Sequence, residues 1–249
     1  MKRLGLTIRG RIAIATSILT VSSHAIYIES SKLQHRREVE ARYDPKKPNP
    51  FLEDLADNVS DGDILLFARR WYYHHLPMAC LLAAYHYMHG TEYDHTGIII
   101  RDEKGEPYVS EIRPFGRPVL RKLEDRILYS RSHQISLIAL YPRNYMAKSK
   151  RKEIFHQIKD TQACYESWSM AGGLLAALGR VCGIGYFDSI PVCPSTRFSL
   201  DSLKLMGINF IKLGESDNAI SCGDIMNRDI RDTHREFTLD DSTVLVKMR

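Results

Sequence analysis

Residues 95–114 leave the chain few options. HTGIIIRD (95–102) is a β-branched run suited to a buried strand, EKGE (103–106) is a turn, and YVSEIRP (108–114) returns alongside. The segment therefore closes on itself as an antiparallel hairpin. Further strands are expected in DGDILLFAR (61–69), ISLIALY (135–141) and STVLVKM (242–248). HHLPMACLLAAYHYMHG (74–90) reads as a helix or an inserted cap ended by Gly90, and AKSKRKEIFHQIKDTQACYESW (147–168) as a basic helix. FGRPVLRKLEDRILY (115–129) has mixed helical character, and AGGLLAALGRVCGIG (171–185) is rich in small residues and ends at glycines. CPSTRFSLDSLKLMGI (193–208) is a helix with Pro194 in its first turn and Gly207 at its end. Strands that follow one another, rather than alternating with helices, make the class α+β.

The composition, 44% hydrophobic and 26% charged over 249 residues, is that of a folded domain and excludes a disordered, collagen-like or multi-span chain. The net charge of +5 is too mild for a nucleic-acid binder, and no nucleic acid is expected as a partner. Much of the excess is local: Lys2, Arg3, Arg9 and Arg11 lie in residues 1–28 without an acid. Within that stretch IAIATSILTVSSHAIYI (12–28) carries no formal charge. It is at the short limit of a spanning helix and diluted by Thr16, Ser17, Ser22, Ser23 and His24. A single-pass membrane anchor is the leading reading. A cleaved organellar presequence and a secretory signal cut near Ser23-His24-Ala25 are the others. A helix packed on its own domain is disfavoured because the apolar residues do not keep to one face. YDPKKPNP (43–50) breaks the helix. The expected organisation is an N-terminal anchor or targeting helix at 1–42, a linker at 43–60 and a main domain at 61–249. Five cysteines (80, 164, 182, 193 and 222) without a C-x-x-C pair indicate a reducing compartment, and a mitochondrial membrane is favoured over the endoplasmic reticulum.

Three residues stand out for chemistry. Cys193 precedes Pro194 at a helix start, where unpaired N–H groups and the helix dipole favour thiolate. The other reading of such a residue is a small buried hydrophobe. His95 begins the HTGIII strand at the edge of a polar turn, a position from which an imidazole faces a cleft. Glu111, on the return strand of the hairpin, is placed to orient the His95 ring. His74, His75, His86 and His89 lack acidic or cysteine partners at ligand spacing, so no metal is expected. Lys148, Lys150, Arg151 and Lys152 read as a solvated face, or as a contact to anionic lipid. Phosphate loops and serine elbows are missing, and no cofactor is expected.

Together these segments form a pattern: Gly62-Asp63-Ile64, His95-Thr96-Gly97-Ile98, Glu111, then Cys193 through Gly207-Ile208. It resembles the circularly permuted papain-like superfamily, in its YiiX/YaeF-like branch related to NlpC-type amidases, over about residues 60–230. Gly185-Tyr186-Phe187-Asp188 and Ser221-Cys222-Gly223-Asp224-Ile225 are loosely similar to further family segments. The resemblance implies an antiparallel sheet packed against the helix that carries the cysteine, with Cys193 as nucleophile, His95 as base and Glu111 as the residue orienting it. It implies acyl transfer from an amide, ester or thioester, with the Cys193 N–H in an oxyanion hole. Two departures stand against the family pattern. Pro194 replaces a residue with an N–H, and the 74–90 segment is an insertion suited to a lid or to a surface for a partner or membrane. A non-catalytic subunit of a membrane complex that keeps the fold is the alternative. A lipid-modifying enzyme whose apolar 76–84 stretch lines the substrate entrance is a third reading.

Overall fold

The computed structural model describes residues 8–42, 50–70, 74–112, 118–141, 146–160, 170–185, 190–208, 220–226, 238–239 and 244–246. Its centre is a sheet of β1 (Ile64–Arg69), β2 (His95–Arg101), β3 (Pro107–Ile112), β4 (Pro118–Lys122), β5 (Ser132–Ile138) and β8 (Val244–Val246). The strands lie in the order β4-β3-β2-β1-β5-β8 and every neighbouring pair is antiparallel. The expected hairpin is β2–β3, with Ile98 opposite Ser110. A small second ladder joins β6 (Leu140–Tyr141) to β7 (Thr238–Leu239).

ILLFA and GIII are continuous apolar runs because this sheet is covered on both faces, which removes the polar half of the usual alternation. Ile64, Leu66, Ile98 and Ile100 point to one layer, with Phe198, Leu203 and Cys193 of the segment 193–205. Leu65, Phe67, Ile99 and Val109 point to the other, with Leu52, Leu55, Leu123 and Ile127. Each such fully buried side chain contributes about 1.5–3 kcal/mol over leaving it in water. The first layer is built from α3 (Leu76–His89), α5 (Lys148–Asp160), α6 (Met170–Val181), α7 (Pro194–Leu205) and α8 (Cys222–Met226). The second holds α2 (Pro50–Asn58) and α4 (Leu123–Leu128). Helix α7, with Cys193 at its N-cap, packs on β2 and β3.

The Asp61-Gly62-Asp63 turn is a structural brace. Gly62 takes φ 94°, which only glycine adopts without strain. Asp61 accepts the Arg101 N–H at 2.6 Å and pairs with Arg151 of α5 at 2.8 Å, so one member of the basic 148–152 cluster faces inward.

Two expectations at the N-terminal side are corrected. The linker expected at 43–60 contains α2, whose Leu52 and Leu55, followed by Val59, close the second layer of the core; Pro50 sits where a helix begins, not where one breaks. Residues 43–49 lie outside the described residues. The second correction concerns the anchor. Residues 12–28 do lie in a helix, α1 (Ile8–Arg42), but among the described residues no helix is long and apolar enough to cross a membrane. This overturns the single-pass anchor at 12–28, the transmembrane reading and the mitochondrial-membrane placement built on it. The physical reason is the hydroxyl-rich middle, where Thr20 Oγ1 turns back onto the Thr16 carbonyl (2.9 Å), running without a break into a charged half with Lys32–Glu29 and Arg36–Glu40 pairs. Instead α1 rests on the domain. Ile28 is 0% exposed, His24 Nε2 meets the His74 carbonyl at 3.1 Å, and Arg131 donates to Ser31 Oγ at 3.1 Å. The contacts with the domain lie at His24, Ile28 and Ser31, whereas Leu19 and Val21 are exposed.

Candidate active site

Cys193 is the N-cap of α7, in an extended conformation (φ −127°, ψ 102°), and its carbonyl accepts the Arg197 N–H at 3.0 Å to open the helix. Pro194 at the first helical position has no N–H, leaving the amides of Ser195 and Thr196 as the orphan donors there. The segment is held from behind by α6. A Cβ on Gly173 would come 2.3 Å from the Val192 carbonyl oxygen, so only glycine lets α6 lie this close.

The thiol is 3% exposed and ringed by donors. Ser195 Oγ lies 3.3 Å from Cys193 Sγ, and Cys222 Sγ lies 3.2 Å from it. Thr196 Oγ1 is 3.4 Å from Cys222 Sγ, and the Cys222 N–H donates to the Tyr85 hydroxyl at 3.2 Å. Burial pushes the Cys193 thiol up. Hydrogen bonds from Cys222, Ser195, Thr196 and Tyr85 outweigh it and hold the thiol well below its ordinary range. Burial and the hydrogen bond to Cys193 push the Cys222 thiol the other way.

His95 opens β2 directly opposite Phe67, with ring centroids 5.7 Å apart. Its Nε2 lies 2.8 Å from Glu111 Oε2. Glu111 also accepts from Arg126 Nε at 2.8 Å and pairs with Arg121 at 3.4 Å, while the Arg126 guanidinium stacks 3.8 Å above Phe67. Burial opposes a charged Glu111, but the His95 hydrogen bond and the nearby arginines hold its carboxyl far below the usual range. Burial also depresses His95, against the pull of Glu111, so the ring is neutral near pH 7. A carboxylate only accepts, so Nε2 carries the proton and the lone pair is on Nδ1.

Of the three residues read from the sequence, the structure brings two together. His95 and Glu111 form a hydrogen-bonded pair in the Phe67–Val109 layer, whereas Cys193 belongs to the Ile98–Phe198 layer. Among the described residues no hydrogen bond joins His95 to Cys193. One hydroxyl links the two halves: the Thr96 N–H donates to Ser195 Oγ at 3.2 Å, and that oxygen touches Cys193 Sγ. Another imidazole on the thiol's side is His89, which lies against Tyr85 (4.4 Å between centroids) and whose buried Nε2 has no hydrogen-bond partner among the described residues.

Sequence reading missed Cys222, Tyr85, Ser195 and Arg126 as members of the site. Cys222 lies in a segment already noticed for its family likeness; nothing in the pattern signals its distance from Cys193. Tyr85 shows that the 74–90 insertion, expected as a lid or an outer surface, walls the thiol pocket. The Gly185–Asp188 likeness involves residues 186–189, which lie outside the described residues.

No family model matches the chain, and no curated protein matches it. Among solved structures it is similar to the crystal structure of the metalloprotein yiiX from Escherichia coli O157:H7, at 12% identity and a TM-score of 0.40. That likeness covers 77% of this chain and 98% of the other. A resemblance so slight carries no weight for the site, whose reading rests on the geometry above.

Proposed function

We propose that the chain is a cysteine-dependent hydrolase or acyltransferase on a permuted papain-like frame, with Cys193 as nucleophile, His95 as general base and Glu111 as the group that orients His95. The observation that carries this reading is the donor-ringed thiol at the N-terminus of α7, tied through Ser195 to the strand that carries the His95–Glu111 pair.

The chemistry follows from where the protons are. The hydrogen bonds around Cys193 favour its thiolate, which attacks an acyl carbonyl without contact from an imidazole. The carbon–sulfur bond forms as the leaving group departs. Neutral His95 has no proton to hand to a leaving amine, so the site suits thioesters, whose thiolate leaves unprotonated, better than amides. In the second step Nδ1 takes a proton from water, the hydroxyl adds to the acyl carbon, and the carbon–sulfur bond to Cys193 breaks. The acid is released, and the proton passes from His95 to the departed thiolate through solvent.

A panel of one acyl group presented as thioester, aryl ester and anilide tests this. The expected order of turnover is thioester, then aryl ester, with the anilide slowest, and Cys193→Ala abolishes all three. Undiminished turnover by Cys193→Ala overturns the reading. No turnover by the wild type also overturns it and favours a non-catalytic subunit that keeps the frame, for which the burial of the thiol and the missing Pro194 N–H already speak.

A further inference from the structure

The four cysteines among the described residues are of two kinds. Cys80 and Cys182 are exposed and free, whereas Cys193 and Cys222 are buried side by side with Sγ atoms 3.2 Å apart. Acyl transfer uses only Cys193, so the mechanism leaves Cys222 unexplained. A disulfide has its sulfurs about 2.0 Å apart, so closing this gap takes a shift of about 1 Å. Both residues stand at helix starts, Cys193 as N-cap of α7 and Cys222 as first residue of α8, where backbone is easier to adjust than in mid-helix.

We propose that Cys193 and Cys222 are a reversible redox couple, in which a peroxide oxidises Cys193 and Cys222 resolves it as a disulfide. The Cys193 thiolate attacks one peroxide oxygen. A sulfur–oxygen bond forms, the oxygen–oxygen bond breaks, and hydroxide leaves, giving a sulfenic acid. Cys222 gives its proton to that hydroxide, and its thiolate attacks the sulfenic sulfur. The sulfur–sulfur bond forms as the sulfur–oxygen bond breaks, and the second hydroxide leaves, taking up a proton as water. Two thiols and one hydrogen peroxide become one disulfide and two waters, with two electrons passing from the sulfurs to the peroxide.

Hydrogen peroxide is scarcely larger than water, so it reaches a thiol that is 3% exposed. The short sulfur–sulfur distance also protects Cys193, because the sulfenic acid is captured before a second peroxide arrives. If Cys193 is the nucleophile of acyl transfer, as proposed above, the disulfide switches that activity off, and this regulatory consequence rests on that reading.

The test is peptide mapping without reductant after the folded full-length protein meets hydrogen peroxide. The expected product is a 193–222 cross-linked peptide, reversed by dithiothreitol and formed at least about tenfold faster than oxidation of Cys80 or Cys182. In Cys222→Ser, a dimedone adduct on Cys193 replaces the cross-link, and excess peroxide carries Cys193 on to sulfinic acid. Oxidation of Cys80 and Cys182 with the 193–222 pair left as thiols overturns the proposal, and this arm needs no variant to fold. Cross-linking without thioester turnover overturns the acyl-transfer reading and leaves the couple standing; turnover without cross-linking does the reverse.

Discussion

Glu111 is where burial and charge compete most directly. Its side chain accepts from His95 and Arg126 in a site closed to solvent, so removing the charge leaves Arg126 a buried cation over Phe67 without its partner. Breaking one side of such a pair costs about 3 kcal/mol, and Glu111→Gln is expected to destabilise the fold by that order. The pH dependence has a defined sign. Glu111 and His95 both have folded pKa values below their ordinary 4.5 and 6.5, so the unfolded chain binds more protons and stability rises with pH. Stability should fall as pH drops below 6.5 through His95, and more steeply below 4.5 through Glu111. Urea midpoints measured across that range should show this slope in the wild type and a shallower acid limb in Glu111→Gln; equal slopes would contradict the assignment. The pair was legible in the sequence because a hairpin places residues 95 and 111 on neighbouring strands. Its isolation from Cys193 was not, since the face each side chain takes depends on a register the sequence does not display.

Among the elements, those marked by local chemistry were readable. Helix α7 has proline at its first turn and glycine after its end, and β1, β2 and β3 are apolar or β-branched runs bounded by turns. Two were obscured. Helix α2 is short and follows two other prolines, so its starting proline read as one more breaker. Strand β4 (PVLRK) carries two basic residues on a sheet edge and merged with the helical pattern of α4. Helix α1 misled for a different reason: its uncharged middle suggested an anchor, but the hydroxyls noted there leave it short of the apolarity that a membrane span requires. The element that backs the Cys193 segment is α6. Alanine in place of Gly173 gains about 1 kcal/mol in helix propensity but drives a methyl into the Val192 carbonyl. Such overpacking costs about 1–3 kcal/mol, so Gly173→Ala should lower the thermal midpoint and slow alkylation of Cys193, the next residue. A raised midpoint with unchanged alkylation would show that α6 does not bear on the thiol.

At the scale of the molecule, a six-stranded antiparallel sheet separates two chemical environments. One face holds the His95 imidazole hydrogen-bonded to the Glu111 carboxylate; the other holds the Cys193 thiol beside the Ser195 hydroxyl and the Cys222 thiol. Ser195 and the open end of β2 join them. Under the proposed function, attack belongs to Cys193 and hydrolysis of the acyl-thiol to His95. The most direct measurement is the mass of Cys193 peptides, followed over time after mixing a thioester with wild type and with His95→Ala. The account predicts that both proteins acylate Cys193 at similar rates and that only the variant accumulates the acyl-enzyme, with deacylation slowed by about 10²–10⁴-fold, the usual contribution of a general base. Loss of acylation itself in His95→Ala, or no acyl group on Cys193 in either protein, would contradict it.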